Sequence, residues 1–356
     1  MSMSRFDEAL WAAANSGDIP ALGDLVKNVE GKPAEAIVVE TVILNEGSIF
    51  DRFAGQLVNV GPRSVLQVFD DRGNFTLLAE PTTREGIYHL IGSVPSSDGR
   101  WKRVERTLVT SSPDLTPCFL NHDDFADLGT SLSEFGAVEV RAMSARHRLH
   151  TKSVTTTWQK LESQLRPDPQ TAILEAEEAE TSVRTLRLHI SEVLDVHLRR
   201  LSGATYYGGD FGVFSSIILA RLADAAFRRR NLMHGRARQV AQPTPAPIQI
   251  TLPVPAFKSA SDTARVIEEL AAPQRLSHAV LHRNPYLQVS VIDHSDGSNF
   301  DVLVTRPDTI EVQPGFRASA GALTALVQQL TDRFAAEDIR ERKVAAPVSL
   351  YSLMSG

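Results

Sequence analysis

His150 and Lys152 stand two residues apart at the end of the stretch FGAVEVRAMSARHRLHTK, Phe135 to Lys152. A histidine can attack phosphorus, and a lysine beside it can hold the oxygens of the phosphoryl group. The pair therefore reads as phosphodiester chemistry without a metal. The surrounding charge points the same way. Arg141, Arg146, Arg148, Lys152 and Lys160 fall in a stretch with no acid between Val140 and Leu161, close to Trp158 and the threonines Thr155, Thr156 and Thr157. Such a segment suits a phosphate-bearing partner, or else an edge strand guarded by charge. A second basic run, RRRNLMHGRAR, carries Arg228, Arg229, Arg230, Arg236 and Arg238, and no acid occurs from Ala225 to Ser261. A helix C-terminus accounts for about two of these cations. The others suit a polyanion, with nucleic acid the first choice.

The helix, glycine turn and strand expected before His150, Thr151 and Lys152 resemble the approach to the His-x-Lys element of phospholipase D-like phosphodiesterases and nucleases. That resemblance implies His150 as nucleophile and Lys152 as the cation on the phosphate oxygens. It is confined to this one stretch. The family places an aspartate after four further residues, where this chain has Thr157, and no Gly-Ser element follows. Arg229 and His234 resemble the Arg-x4-His spacing of HEPN-type ribonucleases, although Gly235 is expected to end the helix directly afterwards.

Other polar groupings read as structure first. Asp293, His294, Ser295, Asp296 and Gly297, with Asp301 beyond, gather hard-metal ligand types, but the acidic spacing of a calcium loop and its closing glutamate are missing. Asp-Gly between two apolar runs is a hairpin turn. His278 and His282 in SHAVLHRNP would share a face only if that segment were helical. No metal site is expected. The phosphate loop, the dinucleotide glycine fingerprint, His-Glu-x2-His and the Gly-x-Ser-x-Gly elbow are all missing, so no cofactor is expected either.

These residues sit in a chain of 356 residues with formal charge −6 and 42% apolar residues. That length suits more than one domain, and that composition suits a sizeable core. The single cysteine, Cys118, excludes an internal disulfide framework and a thiolate zinc cluster. No apolar run is long enough to span a membrane, and the N-terminus MSMSRFDEAL has acids where an export signal needs an apolar run. The expectation is a cytoplasmic protein with no membrane partner.

The fold expected is α+β: a mixed N-terminal α/β domain, a central antiparallel helical pair and a small C-terminal α+β domain. Residues 1–33 read as N-terminal helices and 34–165 as the mixed domain. Residues 166–241 read as the helical pair and 242–356 as the C-terminal unit, after the proline-rich connector Gln242 to Pro247. The first central helix is expected from Thr171 to Leu201. Acids crowd its start, Arg199 and Arg200 its end, and Val183, Leu186, Ile190, Val193 and His197 make one stripe. The second runs to His234, with Phe214, Ile218, Leu222 and Ala225 as its stripe. Helices are also expected at Ser48 to Val58 and Thr82 to Ile91, and a strand at Trp101 to Thr110. The leading functional expectation is a non-enzymatic binding or assembly component, contacting nucleic acid or another polyanion through the two basic stretches. A metal-independent phosphodiesterase using His150 and Lys152 is the alternative. A structural subunit that meets a protein partner, or a second copy of itself, is the third.

Overall fold

The computed structural model describes residues 5–19, 22–23, 36–45, 49, 55–60, 63–68, 75–92, 101–110, 114–147, 153–157, 167–179, 181–201, 203–234, 246–252, 255–283, 286–334 and 336–342. Helices and antiparallel sheets are both abundant, so the chain is of mixed α+β class. The first eleven strands make one sheet. They are β1 (Ile37–Leu44), β2 (Gly55–Val60), β3 (Arg63–Val68), β4 (Phe75–Pro81), β5 (Ile87–Gly92), β6 (Leu115–Pro117), β7 (Glu139–His147), β8 (Ser153–Thr157), β9 (Thr181–Ile190), β10 (Leu194–Arg199) and β11 (Gly203–Gly209). Their order is β2-β3-β4-β5-β1-β11-β10-β9-β7-β8, with β6 beside β1.

Helical segments accompany this sheet, beside a short 3-10 turn at Ser133–Phe135. They are α1 (Arg5–Ser16), α2 (Trp101–Thr110), α3 (His122–Leu132), α4 (Pro169–Glu178), α5 (Phe211–Val213), a π-helical turn (Phe214–Leu219) and α6 (Ala220–His234). One sheet face packs Val39, Leu186, Leu188, Val196 and Leu198 against apolar side chains of α1, α3, α4 and α6. On the other face, Trp101, Val104 and Leu108 of α2 cover Val38, Val42, Leu77 and Leu90. The α2 spacing of three and four residues is what makes Trp101 to Thr110 a helix rather than the expected strand. Strand β5 likewise replaces the helix expected up to Ile91, and β2 replaces the helix expected up to Val58, where residues 50–54 lie outside the described residues.

The central helical pair is corrected in its first member. Helix α4 ends at Glu178, and the chain then forms β9, β10 and β11, which lie between β7 and β1 in the large sheet. The second member stands, through α5, the π-helical turn and α6. Close approach of β11 to β1 requires glycine: Gly203 has φ 148, and a Cβ there would collide with the Val39 carbonyl.

The second sheet is built from β12 (Ile248–Thr251), β13 (Leu276–His282), β14 (Leu287–Asp293), β15 (Asn299–Arg306), β16 (Thr309–Pro314) and β17 (Asp338–Glu341), ordered β13-β14-β15-β16-β12-β17. Helices α7 (Ala260–Ala271) and α8 (Ala320–Phe334) pack on one face. Val266, Leu270, Leu323, Leu326 and Leu330 meet Ile250, Val289, Val302 and Val312 there. Helix α7 starts at a capping box in which Ser259 accepts from the Asp262 N–H and Asp262 accepts from the Ser259 N–H. The two sheets share packing, because Met233 of α6 and Phe119 enter the second core. Polar contacts reinforce the junction. Arg184 donates to Asp332 of α8, Arg200 donates to the Thr331 carbonyl, and Asn121 donates to the Glu337 carbonyl.

Candidate binding surfaces

Most of the described arginines of the two basic stretches meet carboxylates. Arg228 donates to Asp124 Oδ1 at 2.8 Å and Arg229 to Asp124 Oδ2 at 2.7 Å. Arg229 is buried and lies over the Phe119 ring, 5.3 Å from its centroid. Arg230 lies 4.0 Å from Glu85 and against Gly86. Arg141 donates to Asp195 at 3.0 Å, an oxygen that Arg187 also reaches. Arg146 lies close enough to Glu269 and Arg333 to act on both electrostatically. Arg148, His150, Lys152, Arg236 and Arg238 lie outside the described residues. Arg229 and His234 engage different partners, since His234 Nε2 sits 3.3 Å from Asn45 Oδ1. A carboxylate within hydrogen-bond reach cancels most of one guanidinium's field at a distance; Asp124 serves both Arg228 and Arg229, and Asp195 both Arg141 and Arg187, so the described half of the expected polyanion surface is compensated in part.

A polar sheet face went unread in the sequence. Thr185, Arg187 and His189 on β9 and Asp195, His197 and Arg199 on β10 alternate with the buried leucines, isoleucine and valine. Asp195 takes a bidentate bond from Arg187, with His189 Nδ1 3.9 Å away. Arg187 also lies over Tyr207, 4.7 Å from the ring centroid. Arg199 donates to Thr205 and to the buried Glu40, which also accepts from the Trp101 indole. His197 was expected as a packed histidine on a helix; it sits instead between Arg187 and Arg199 on this face. Burial first, then those two guanidiniums, lower its pKa to about 4, so it is neutral at pH 7. Arg141, Arg187 and Arg199 thus meet Asp195 and Glu40 on this face, while the buried Nε atoms of Arg141 and Arg199 have no hydrogen-bond partner among the described residues.

The histidine and aspartate groupings are likewise structural. His278 and His282 lie on a strand, on opposite sides of a register shift, so they do not form a helical pair. Asp293 Oδ1 accepts from the Ser295 N–H, and Asp296 accepts from the Ser298 N–H and the Ser319 hydroxyl. These are the bonds of the expected hairpin turn between β14 and β15, with Gly297 at φ 76. Among the described residues no group of His, Cys, Asp or Glu is placed to hold a metal, and no described helix is long and apolar enough to cross a membrane. Cys118 is buried; desolvation first, then the Asp124 charge, push its thiol up to about 12. A thiol-disulfide exchange reagent is expected to leave Cys118 unmodified in the native protein and to modify it fully in denaturant. Stoichiometric reaction under native conditions would contradict the buried placement.

One surface is not matched internally. Strand β13, LSHAVLH, forms an edge of the second sheet. Five of the seven exposed large apolar residues among those described, Val280, Leu281, Tyr286, Ile292 and Phe316, belong to this sheet unit. Leu281 is 59% exposed. The opposite edge, β17, is short and reads DIRE, with Asp338, Arg340 and Glu341. Charged, short edges resist pairing with other chains, whereas longer uncharged ones invite it. β13 has seven residues and no Asp, Glu, Lys or Arg. Position at an edge is set by tertiary pairing, so the sequence signalled only a lack of charge in this run.

Comparison of the sequence with protein-family models and with curated proteins gives no match.

Proposed function

We propose that this chain is an assembly component that docks a second copy of itself along β13. The observation that carries the reading is the contrast between the two edges of the second sheet: one charged and short, the other longer, uncharged, carrying exposed Val280 and Leu281 and followed by exposed Tyr286. An antiparallel pairing of β13 with its symmetry mate is isologous. It satisfies edge N–H and C=O groups on both copies at once and closes after two subunits. The apolar side chains of the two edges would then cover one another. Polyanion binding by the basic stretches is the weaker reading, because Arg141, Arg228 and Arg229 are each held by a carboxylate.

The test is mass in solution by light scattering across a concentration series. The wild-type chain is expected to be dimeric at micromolar concentration. Val280→Lys with Leu281→Lys is expected to weaken the dimer by at least about tenfold, because like charges are brought opposite one another across the new pair. Both positions are exposed, so the thermal midpoint of the monomer should hold within a few degrees. A wild-type chain that stays monomeric throughout overturns the reading. So does a dimer that the two lysines leave intact.

A further inference from the structure

The face of the second sheet opposite α7 and α8 carries a cleft of about 420 Å³ lined by Gln249, Thr305, Arg306, Glu311, Arg340 and Arg342. The sheet register explains how residues so distant in sequence meet. Arg340 on β17 pairs with Gln249 on β12, which pairs with Glu311 on β16. These three side chains therefore lie in one row across adjacent strands, at about 4.8 Å per strand. Arg306 and Thr305 close one side from the end of β15, and Arg342 follows β17 on the other.

The charges lining the cleft do not cancel. Arg342 donates to Glu311 at 2.9 Å, and Glu311 is buried while the arginine is half-exposed. Arg340 lies 3.4 Å from Asp338 of its own strand, in an exposed and solvent-screened pair. Arg306 is exposed, and its guanidinium has no hydrogen-bond or ion-pair partner among the described residues. Three guanidiniums thus converge on a space that holds one carboxylate, with a hydroxyl and an amide as further donors. The contrast with Arg228 and Arg229 is one of degree: both of those donate to Asp124, whereas here Glu311 takes only Arg342, Arg340 has an exposed partner in Asp338, and the Arg306 guanidinium has none among the described residues.

We propose that this cleft is a binding site for the phosphate group of a small phosphorylated molecule. Guanidinium forks match phosphate oxygens in two-bond geometry, and three of them around one cleft can serve several oxygens at once. The volume is within the range of small-molecule sites. Glu311 holds Arg342 back from the ligand and sets the affinity, so the site carries its own opposing charge.

Inorganic pyrophosphate is the probe, titrated calorimetrically into the full chain. Saturable binding is expected, weakened by about tenfold or more in Arg306→Gln and again in Arg340→Gln. Glu311→Gln is expected to tighten binding several-fold, because it removes the one carboxylate in the cleft and releases Arg342. Arg187→Gln on the larger sheet is expected to change nothing. All four variants are titrated well below their own thermal transitions, so that each is folded when binding is read. Wild-type protein that binds no pyrophosphate overturns the proposal, as does binding indifferent to Arg306→Gln and Arg340→Gln. Loss of binding in Arg187→Gln would place the anion on the other sheet and would also overturn it. Weaker binding in Glu311→Gln would contradict the role assigned to that carboxylate.

Discussion

Replacing Asp124 with alanine is expected to destabilise the fold by about 3–5 kcal/mol, the range for breaking a buried ion pair from one side. Asp124 is buried, and each of its oxygens is occupied. Oδ1 accepts from Arg228, while Oδ2 accepts from Arg229 and from the backbone N–H of Asn121 in the capping box of α3. One side chain therefore joins α3 to α6. The two arginines are unequal. Arg228 is half-exposed and can be solvated once the carboxylate is gone, so Arg228→Gln should cost less than about 1 kcal/mol. Arg229 is only 7% exposed and would be left as a buried cation against Phe119. That asymmetry gives a sharp test. Arg229→Met combined with Asp124→Ala should be much less harmful than the sum of the single changes, with a coupling of about 2 kcal/mol or more in a double-mutant cycle measured by urea unfolding. If Asp124→Ala costs less than 1 kcal/mol, or the cycle shows no coupling, the pair is not what holds α6 to α3.

The same residues show what was legible in the sequence. Helix α6 was readable because its stripe and its end were both marked, but Asp124 lies about a hundred residues upstream of its partners. Nothing local tells a chain of arginines that a carboxylate from another helix will meet it. The segment Thr181 to Arg199 failed for a different reason. Leu186, Ile190, Val193 and His197 fit a helical period, while Leu186, Leu188 and Ile190, then Leu194, Val196 and Leu198, fit a strand period. The deciding cue would have been the turn between them, Ser191, Glu192 and Val193. It contains no glycine, proline or asparagine, yet Glu192 adopts φ 58, a backbone conformation such residues rarely signal. With the turn hidden, the acids before Thr181 and the arginines after Leu198 looked like the two ends of one dipole. The turn between β14 and β15 was legible because Asp293 to Asn299 is rich in Asp, Gly and Asn.

The surfaces followed the same rule. The uncharged run in β13 was visible, but that it forms an edge depends on strand order. Arg306, Arg340 and Arg342 come from two strands and a loop end that only the register brings together. Conversely, the densest charge in the sequence, Arg228 to Arg230, sits where partners from the fold reach it. Linear charge density reports composition. The field outside the molecule depends on which charges remain after pairing, and that is settled by tertiary structure.

Lowering the pH from 6.5 toward 4 is expected to remove about 3 kcal/mol of stability through His89 alone. His89 lies within the large sheet on β5, its Nδ1 3.0 Å from the Thr41 hydroxyl, and it also bonds to the backbone of Leu219 at the end of the π-helical turn. Burial lowers its pKa from 6.5 to about 4, against the smaller opposing effect of the Leu219 bond. The sign follows from which state takes up the proton. Above pH 6.5 the imidazole is neutral both folded and unfolded, and its full contribution is present. Between 6.5 and 4 the unfolded chain binds a proton that the folded chain refuses, so stability falls by about 1.4 kcal/mol per pH unit. Below about pH 4 both states are protonated and the loss levels off. His197, lowered to about 4 on the polar face, adds a second proton over the same window. In His89→Asn the amide oxygen can still accept from Thr41. The bond to the Leu219 backbone is then lost, which costs about 0.5–1.5 kcal/mol at every pH. The pH slope between 6 and 4.5 should drop by about one proton relative to wild type, whatever the offset. Equal slopes in urea unfolding at those two pH values would mean that His89 titrates alike in both states, and the buried neutral imidazole would have to be abandoned.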